Sequence, residues 1–339
     1  MTARAKYRHR LPQEADRVFL TDGDIETCLI LQDGLELPHL GTFDLMRDAS
    51  GREALIRYYE RYIAIAKADG LGFLLESPTW RASPDRGGRL GYGRSDIVAV
   101  NQASIRLLLD LRARHESPET PIVVSGCIGP RADGCDPSQI MSADEAADYH
   151  RLQIESFDEA AADMVSALTM TNIPEAAGIA GEAKRSGMPV AVAFTVEVDG
   201  RLPTGHTLAE AIEEIDDLTD GAPAYYMISG AHPTHFADAM VGSWTRRVRG
   251  LRANASPRSR RNLNDPPDLE AGNPVELGRL YRDIVRRHPQ INVLGGCCGM
   301  DHRHIECIAL ACRDVVEALP WRRRVGHIAV GYEQAGRHF

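Results

Sequence analysis

Eight short apolar runs, each followed by a longer segment with helical periodicity, constrain this chain more than any other feature. The runs are Val18–Thr21, Leu71–Glu76, Pro121–Ser125, Met164–Thr169, Pro189–Thr195, Ala224–Ser229, Val248–Ala253 and Ile291–Leu294. They are nearly continuous rather than alternating, as strands covered on both faces require. Helical patterns occupy Arg52–Ala68, Ile97–His115, Ala143–Ala161, Pro174–Arg185, Leu208–Leu218, Pro274–Arg287 and His302–Leu319, and Thr234–Val241 is the only short candidate in the sixth interval. Strands that alternate with helices form a parallel sheet. Eight such units in 339 residues fit a closed (β/α)8 TIM barrel better than an open doubly wound sheet. The open sheet usually starts on a Gly-rich phosphate turn, and no such turn stands at the required place. The chain is therefore read as one α/β domain over residues 1–339, with the barrel at 15–320 and an arm at each end.

A net charge of −9 argues against nucleic acid and anionic membranes as main partners. No apolar run approaches the ~18 residues of a membrane span, and the basic N-terminus MTARAKYRHRLPQEADR lacks the apolar stretch of a secretory signal. The expected setting is the reducing cytoplasm, where the seven cysteines would be free or metal-bound. Two of them are adjacent, in Gly295-Gly296-Cys297-Cys298-Gly299. This segment directly follows the eighth apolar run, at the end of the barrel where such enzymes hold their sites. A disulfide between neighbours is strained, because Cα atoms about 3.8 Å apart fall short of the usual window. Two small buried apolar residues and a soft-metal site of zinc type both remain open.

In its motifs the chain resembles the homocysteine S-methyltransferase family. The resembling pieces are Asp22-Gly23-Asp24 with Glu26-Thr27, then Ser77-Pro78-Thr79-Trp80-Arg81-Ala82-Ser83, then Ser125–Arg131 (SGCIGPR) and Phe194–Gly205 (FTVEVDGRLPTG). The last is Gly295–Gly299, followed by His304-Ile305. Each is weak alone; their combination in this order is specific. The resemblance implies a (β/α)8 barrel that transfers a methyl group to the thiol of homocysteine, or to a related thiol or selenol. The product from homocysteine would be methionine. It implies Cys297 and Cys298 as catalytic zinc ligands and a sulfonium or ammonium donor: S-methylmethionine, S-adenosylmethionine or betaine. Direct coordination would deprotonate an acceptor thiol that is otherwise mostly protonated at neutral pH.

Three departures stand against this pattern. The family's third zinc cysteine follows the sixth strand in an Asn-Cys pair, and alignment on Pro233 places Ser229 and Gly230 there. Glycine carries no ligand. The remaining readings are a substitute nitrogen from His232 or His235, a site of two thiolates only, a barrel without zinc that has kept its pocket for another small molecule, or an altered sequence. Asp24 stands at the family's second glycine. The stretch Ala167–Asn172 has no acid, where the family often has a Glu that contacts the substrate amine, so that task falls to another residue.

The resemblance makes Asp22 the anchor of the substrate amino group, although a turn cap also suits it. Gly23 belongs to the same turn. Thr79 and Trp80 are candidates for the pocket wall, Glu197 for an ammonium partner and Asn254 for shaping the site; each also has a plain packing or loop reading. Cys28, Cys127, Cys307 and Cys312 are read as packing residues. The expected partners are a small-molecule thiol and a methyl donor, and homo-oligomerisation stays open.

Overall fold

The computed structural model describes residues 4–15, 17–132, 139–258, 271–313 and 315. Eight parallel strands close into a barrel in chain order: β1 (Phe19–Leu20), β2 (Gly72–Glu76), β3 (Ile122–Ile128), β4 (Met164–Met170), β5 (Val190–Thr195), β6 (Pro223–Ser229), β7 (Val248–Ala253) and β8 (Val293–Gly296). The principal helices are α1 (Ala49–Ala68), α2 (Arg94–His115), α3 (Ala143–Glu159), α4 (Ile173–Arg185), α5 (Leu208–Thr219), α6 (Pro233–Phe236), α7 (Pro274–Arg287) and α8 (His302–Ala311). The sequence marks several of their starts. Ser142 with Glu145 and Thr207 with Glu210 form capping boxes, and Asn273 accepts the first backbone N–H groups of α7.

Strand alternation divides the apolar residues into two clusters. Phe19, Leu74, Val123, Cys127, Met164, Leu168, Ala191, Ala193, Tyr225, Met227 and Val293 fill the bore. Their neighbours, including Leu20, Phe73, Leu75, Val124 and Leu251, face the helices. Both faces are therefore dry, and this is why the runs carry no alternation. The N-terminal arm closes the base of the barrel. Leu11 joins the bore cluster, Gln13 Nε2 donates to Tyr225 Oη at 3.3 Å, and the backbone N–H groups of Lys6 and Tyr7 donate to Asp163.

Several boundaries differ from the expectation: β1 keeps only Phe19–Leu20, and α1 and α2 each start three residues early, at Ala49 and Arg94. The last strand begins at Val293: Ile291 N–H closes a turn on His288 O, while Asn292 pairs its backbone with Arg249 and Phe19 and donates its side-chain Nδ2 to the carbonyls of Gln13 and Arg17. It runs on through Gly295 and Gly296, which lack the side chains that would collide with Thr21 and Met300. β3 extends three residues beyond Ser125. The sixth helix ends at Phe236 rather than Val241. The expected continuation of α8 to Leu319, most of the polar loop 254–273, Cys135 and the C-terminal arm lie outside the described residues.

Candidate active site

The ends of β1, β2, β7 and β8 meet at one mouth. Cys297 and Cys298 follow β8, with their sulfurs 3.9 Å apart. A tetrahedral zinc with Zn–S of about 2.3 Å needs an edge of about 3.8 Å, so the pair spans one edge of such a site. The turn is held on both sides: Cys297 N–H donates to Ala253 O at 2.8 Å, Ala255 N–H donates to Cys298 O at 3.0 Å, and Met300 N–H closes on Cys297 O. Asp24 also reaches it, accepting from Gly299 N–H at 3.1 Å and from the Thr27 hydroxyl at 2.5 Å. The residue that departs from the family pattern therefore ties the first loop to the cysteine turn. Gly23 lies beneath it; a Cβ there would come within 2.3 Å of Met300 O, so its place reflects close backbone approach.

The third ligand position is Gly230, in the left-handed region at φ 72°. Its carbonyl accepts from Asn254 Nδ2 at 2.7 Å. Asn254 N–H also donates to Ala231 O, so Asn254 clamps the turn after β6, while its Oδ1 is buried without a partner among the described residues. His232 caps α6 through Nδ1, 2.9 Å from Thr234 Oγ1. Burial, reinforced by His235, lowers its pKa to about 4, so it is neutral at pH 7. Among the described residues no third His, Cys, Asp or Glu joins the cysteine pair in a group able to hold a metal ion. The described donor set is thus two cysteine sulfurs, one short of the three that the resemblance implies.

Asp22 reaches the mouth, but it is already engaged. Its Oδ1 lies 3.0 Å from Arg252 Nη2, and its Oδ2 accepts from Tyr58 Oη at 3.0 Å. Arg252 Nη1 reaches Glu76 Oε2 at 2.6 Å and also donates to Thr21 Oγ1. The side chains of Arg252, Asp22 and Glu76 are 8%, 8% and 4% exposed. Arg252 extends from β7 past β8 to β1 and β2. Gly295 fits its place there because a Cβ would meet Thr21 Oγ1 at 2.5 Å. Burial disfavours the Arg252 charge, but the carboxylates of Glu76 and Asp22 outweigh it and keep the guanidinium firmly charged.

Of these three, the sequence pointed to Asp22 but not to Glu76 or Arg252. A signal was available: Glu76 and Arg252 are the only charges, opposite in sign, near the upper ends of two otherwise apolar inward faces, in step with Leu74 and Gly250.

The other candidates sit apart from it. Thr79 is fully buried and donates to Cys127 O at 2.8 Å, joining the loop after β2 to β3. Trp80 packs on the bore cluster, with Nε1 on Thr169 Oγ1 at 3.0 Å. Glu197 is half-buried in a tight turn closed by its own backbone bonds to Arg201 and Gly200. Cys28 and Cys127 are buried, and burial pushes the Cys28 thiol up to about 12 and the Cys127 thiol well up; both stay protonated, in keeping with packing.

A family model described as homocysteine S-methyltransferase matches residues 19–312. A search of curated proteins found no significant match. The solved structures of the homocysteine methyltransferase MmuM from Escherichia coli share the fold. Its oxidized form superposes with a TM-score of 0.70 at 16% identity, covering 88% of this chain and 97% of that chain. Its metallated form gives 0.68 at 15%, covering 87% and 96%. Fold and cysteine turn together define a (β/α)8-barrel enzyme of the methyltransferase class. The chain belongs to the homocysteine S-methyltransferase family.

Proposed function

We propose that this barrel methylates the thiol of homocysteine or a close relative, taking the methyl group from a sulfonium or ammonium donor. The observation that carries the reading is the pair of sulfurs 3.9 Å apart on a turn fixed from both sides, at the end of the barrel that carries chemistry in this architecture. In the transfer, the acceptor sulfur forms a bond to the methyl carbon as the donor's S–C or N–C bond breaks. The bonding pair stays on the donor, which leaves uncharged, so no acid is needed to assist departure. The protein's share is positioning and a deprotonated acceptor. Zinc on Cys297 and Cys298 is the cofactor that goes with this reading, supported by the spacing of the pair; Asp22, Gly23, Thr79, Trp80, Glu197 and Asn254 are the residues proposed to surround the substrates.

Gly230 supports a second reading, a family member that binds a small molecule without zinc. One experiment separates the two. Zinc content and homocysteine methylation are measured for the wild type and for Gly230→Cys, offering S-methylmethionine, S-adenosylmethionine and betaine in turn. Stoichiometric zinc with turnover in the wild type establishes the enzyme as it stands. Gain of both only in Gly230→Cys identifies the missing thiolate as the cause of inactivity. Absence of zinc and turnover in both supports the binding barrel.

A further inference from the structure

We propose that Glu26 is the general base that takes the proton from the acceptor thiol as its sulfur attacks the methyl group; the proposal rests on the thiol-acceptor reading above. The reaction needs such a group. The donor leaves uncharged and carries no proton away, so the thiol proton must pass to the protein or to water. The S–H bond gives up its proton to the Glu26 carboxylate and leaves its electron pair on sulfur, while a sulfur pair forms the new S–C bond. The protonated carboxyl returns its proton to solvent between turnovers. Positioned proton transfer of this kind is worth about 10²–10⁴ in rate.

Glu26 stands in the loop after β1, two residues beyond Asp24, which accepts from Gly299 N–H beside Cys298. The loop that carries it is therefore tied to the cysteine turn. The residue is half-buried, so it stays open to solvent at the mouth. Its Oε1 accepts from the Thr42 hydroxyl at 2.7 Å, and among the described residues no other residue donates to its Oε2. Burial is the main reason that Cys127, in the bore, and Tyr59, whose hydroxyl donates to Glu76 O, hold their protons; the nearby carboxylates, Glu26 among them, add to it. Glu26 thus lies within electrostatic reach of the bore. The groups that face it are Asp24 on its own loop, Thr42, and Arg81 from the loop after β2. Burial, and then Asp24, raises its carboxyl to about 7 against the opposing effects of Thr42 and Arg81, and a base serves best when it is poised near the working pH. The other acids and bases of the mouth are committed or unsuited. Asp22 and Glu76 hold Arg252. Asp24 spends both oxygens on Thr27 and Gly299. His232 is held on Thr234 and takes a proton only near pH 4.

The test is the pH dependence of kcat/KM for methyl transfer to L-homocysteine, with S-methylmethionine, S-adenosylmethionine and betaine offered in turn. The proteins are the wild type, Glu26→Gln and Thr42→Val, with folding checked by circular dichroism. The wild-type rate is expected to rise through an ionisation at about 7. In Glu26→Gln that limb disappears, and the rate rises only with the thiol's own ionisation at about 8.5. The variant should therefore lose about tenfold or more at about pH 7 and come within about threefold of the wild type at about pH 9. A merely structural role would lower the rate alike at every pH. Thr42→Val leaves the carboxyl in place but removes a bond that favours its ionised form, so its limb should move to higher pH; it supplies the readout if Glu26→Gln does not fold. A wild-type limb kept in folded Glu26→Gln, or unmoved in Thr42→Val, overturns the assignment and leaves the thiol-acceptor reading standing. A wild type that transfers no methyl group from any of these donors at any pH overturns that reading itself, and the assignment with it.

Discussion

At the scale of single residues, Arg252 has the largest thermodynamic leverage. It is the buried cation between two buried carboxylates, and removing one member of such a group leaves uncompensated charge in the interior. Arg252→Met is expected to lower stability by about 3–5 kcal/mol, read as a shift of the urea unfolding midpoint. Arg252→Lys should lose less but not recover fully, since one ammonium cannot reproduce a planar fork reaching Asp22 and Glu76 together. Gly230→Cys has its own cost. At φ 72° a side chain is strained by about 1–2 kcal/mol, so any zinc gained by that variant should be accompanied by a lower melting temperature in the presence of a chelator. His232 gives a pH signature. Its folded pKa near 4 lies below the unfolded value of about 6.5, so the unfolded chain takes up the proton first. Its contribution to stability is full above about pH 6.5 and is lost as pH falls towards 4. His232→Asn keeps a good helix cap and should flatten that part of the stability curve. Glu26 acts with opposite sign. Burial, and then Asp24, raises its carboxyl to about 7, so its contribution is lost as pH rises from about 4.5 to 7, and Glu26→Gln should remove that loss.

At the scale of elements, the cysteine turn depends on a segment almost at the other end of the chain. Asp24 accepts from Thr27 N–H as a helix cap and from Gly299 N–H beside Cys298. Asp24→Ala is expected to cost about 1 kcal/mol as a lost cap and to speed reaction of Cys297 and Cys298 with a disulfide reagent, measured at fixed pH against the wild type. The elements themselves were largely legible. β7 and α7 run over the residues that apolar pattern and capping signals predict, because Pro274 and Asn273 mark a start locally. β8 was displaced by two residues because what settles it is not local: Gly295 and Gly296 are accepted in the strand where Thr21 and Met300 leave no room for a side chain. The partner of Asp24 lies 275 residues away and leaves no mark in its own neighbourhood.

At the scale of the whole molecule, closure of the barrel explains what the sequence concealed. Eight apolar runs are enough to imply eight strands, but an apolar run shows neither which residues face inward nor what they meet across the bore. Glu76 and Arg252 therefore read as strand ends rather than as partners. The cysteine turn was legible because all its residues are adjacent in sequence; the link from Asp22 to Glu76 and Arg252 was not, because the turn after β1, β2 and β7 contribute one member each. The base of the barrel makes a separate prediction. Deleting residues 1–15 uncovers the bore beneath Tyr225 and Met164 and leaves Asp163 without the N–H groups of Lys6 and Tyr7. The truncated chain is expected to melt at lower temperature and to bind more hydrophobic dye, with the cysteine mouth unchanged in zinc content.

The bond from Arg252 to Glu76 spans 176 positions, and that to Asp22 spans 230. A ribosome-bound chain exposes both carboxylates long before it exposes the guanidinium that neutralises them. Through most of synthesis Asp22 and Glu76 must stay hydrated, and the strands bearing them cannot seal. The seam between β8 and β1, only two residue pairs long, closes afterwards. The mouth is thus completed only after β7 and β8 are made, and a chain stalled before Arg252 carries both carboxyl groups without the guanidinium that joins them.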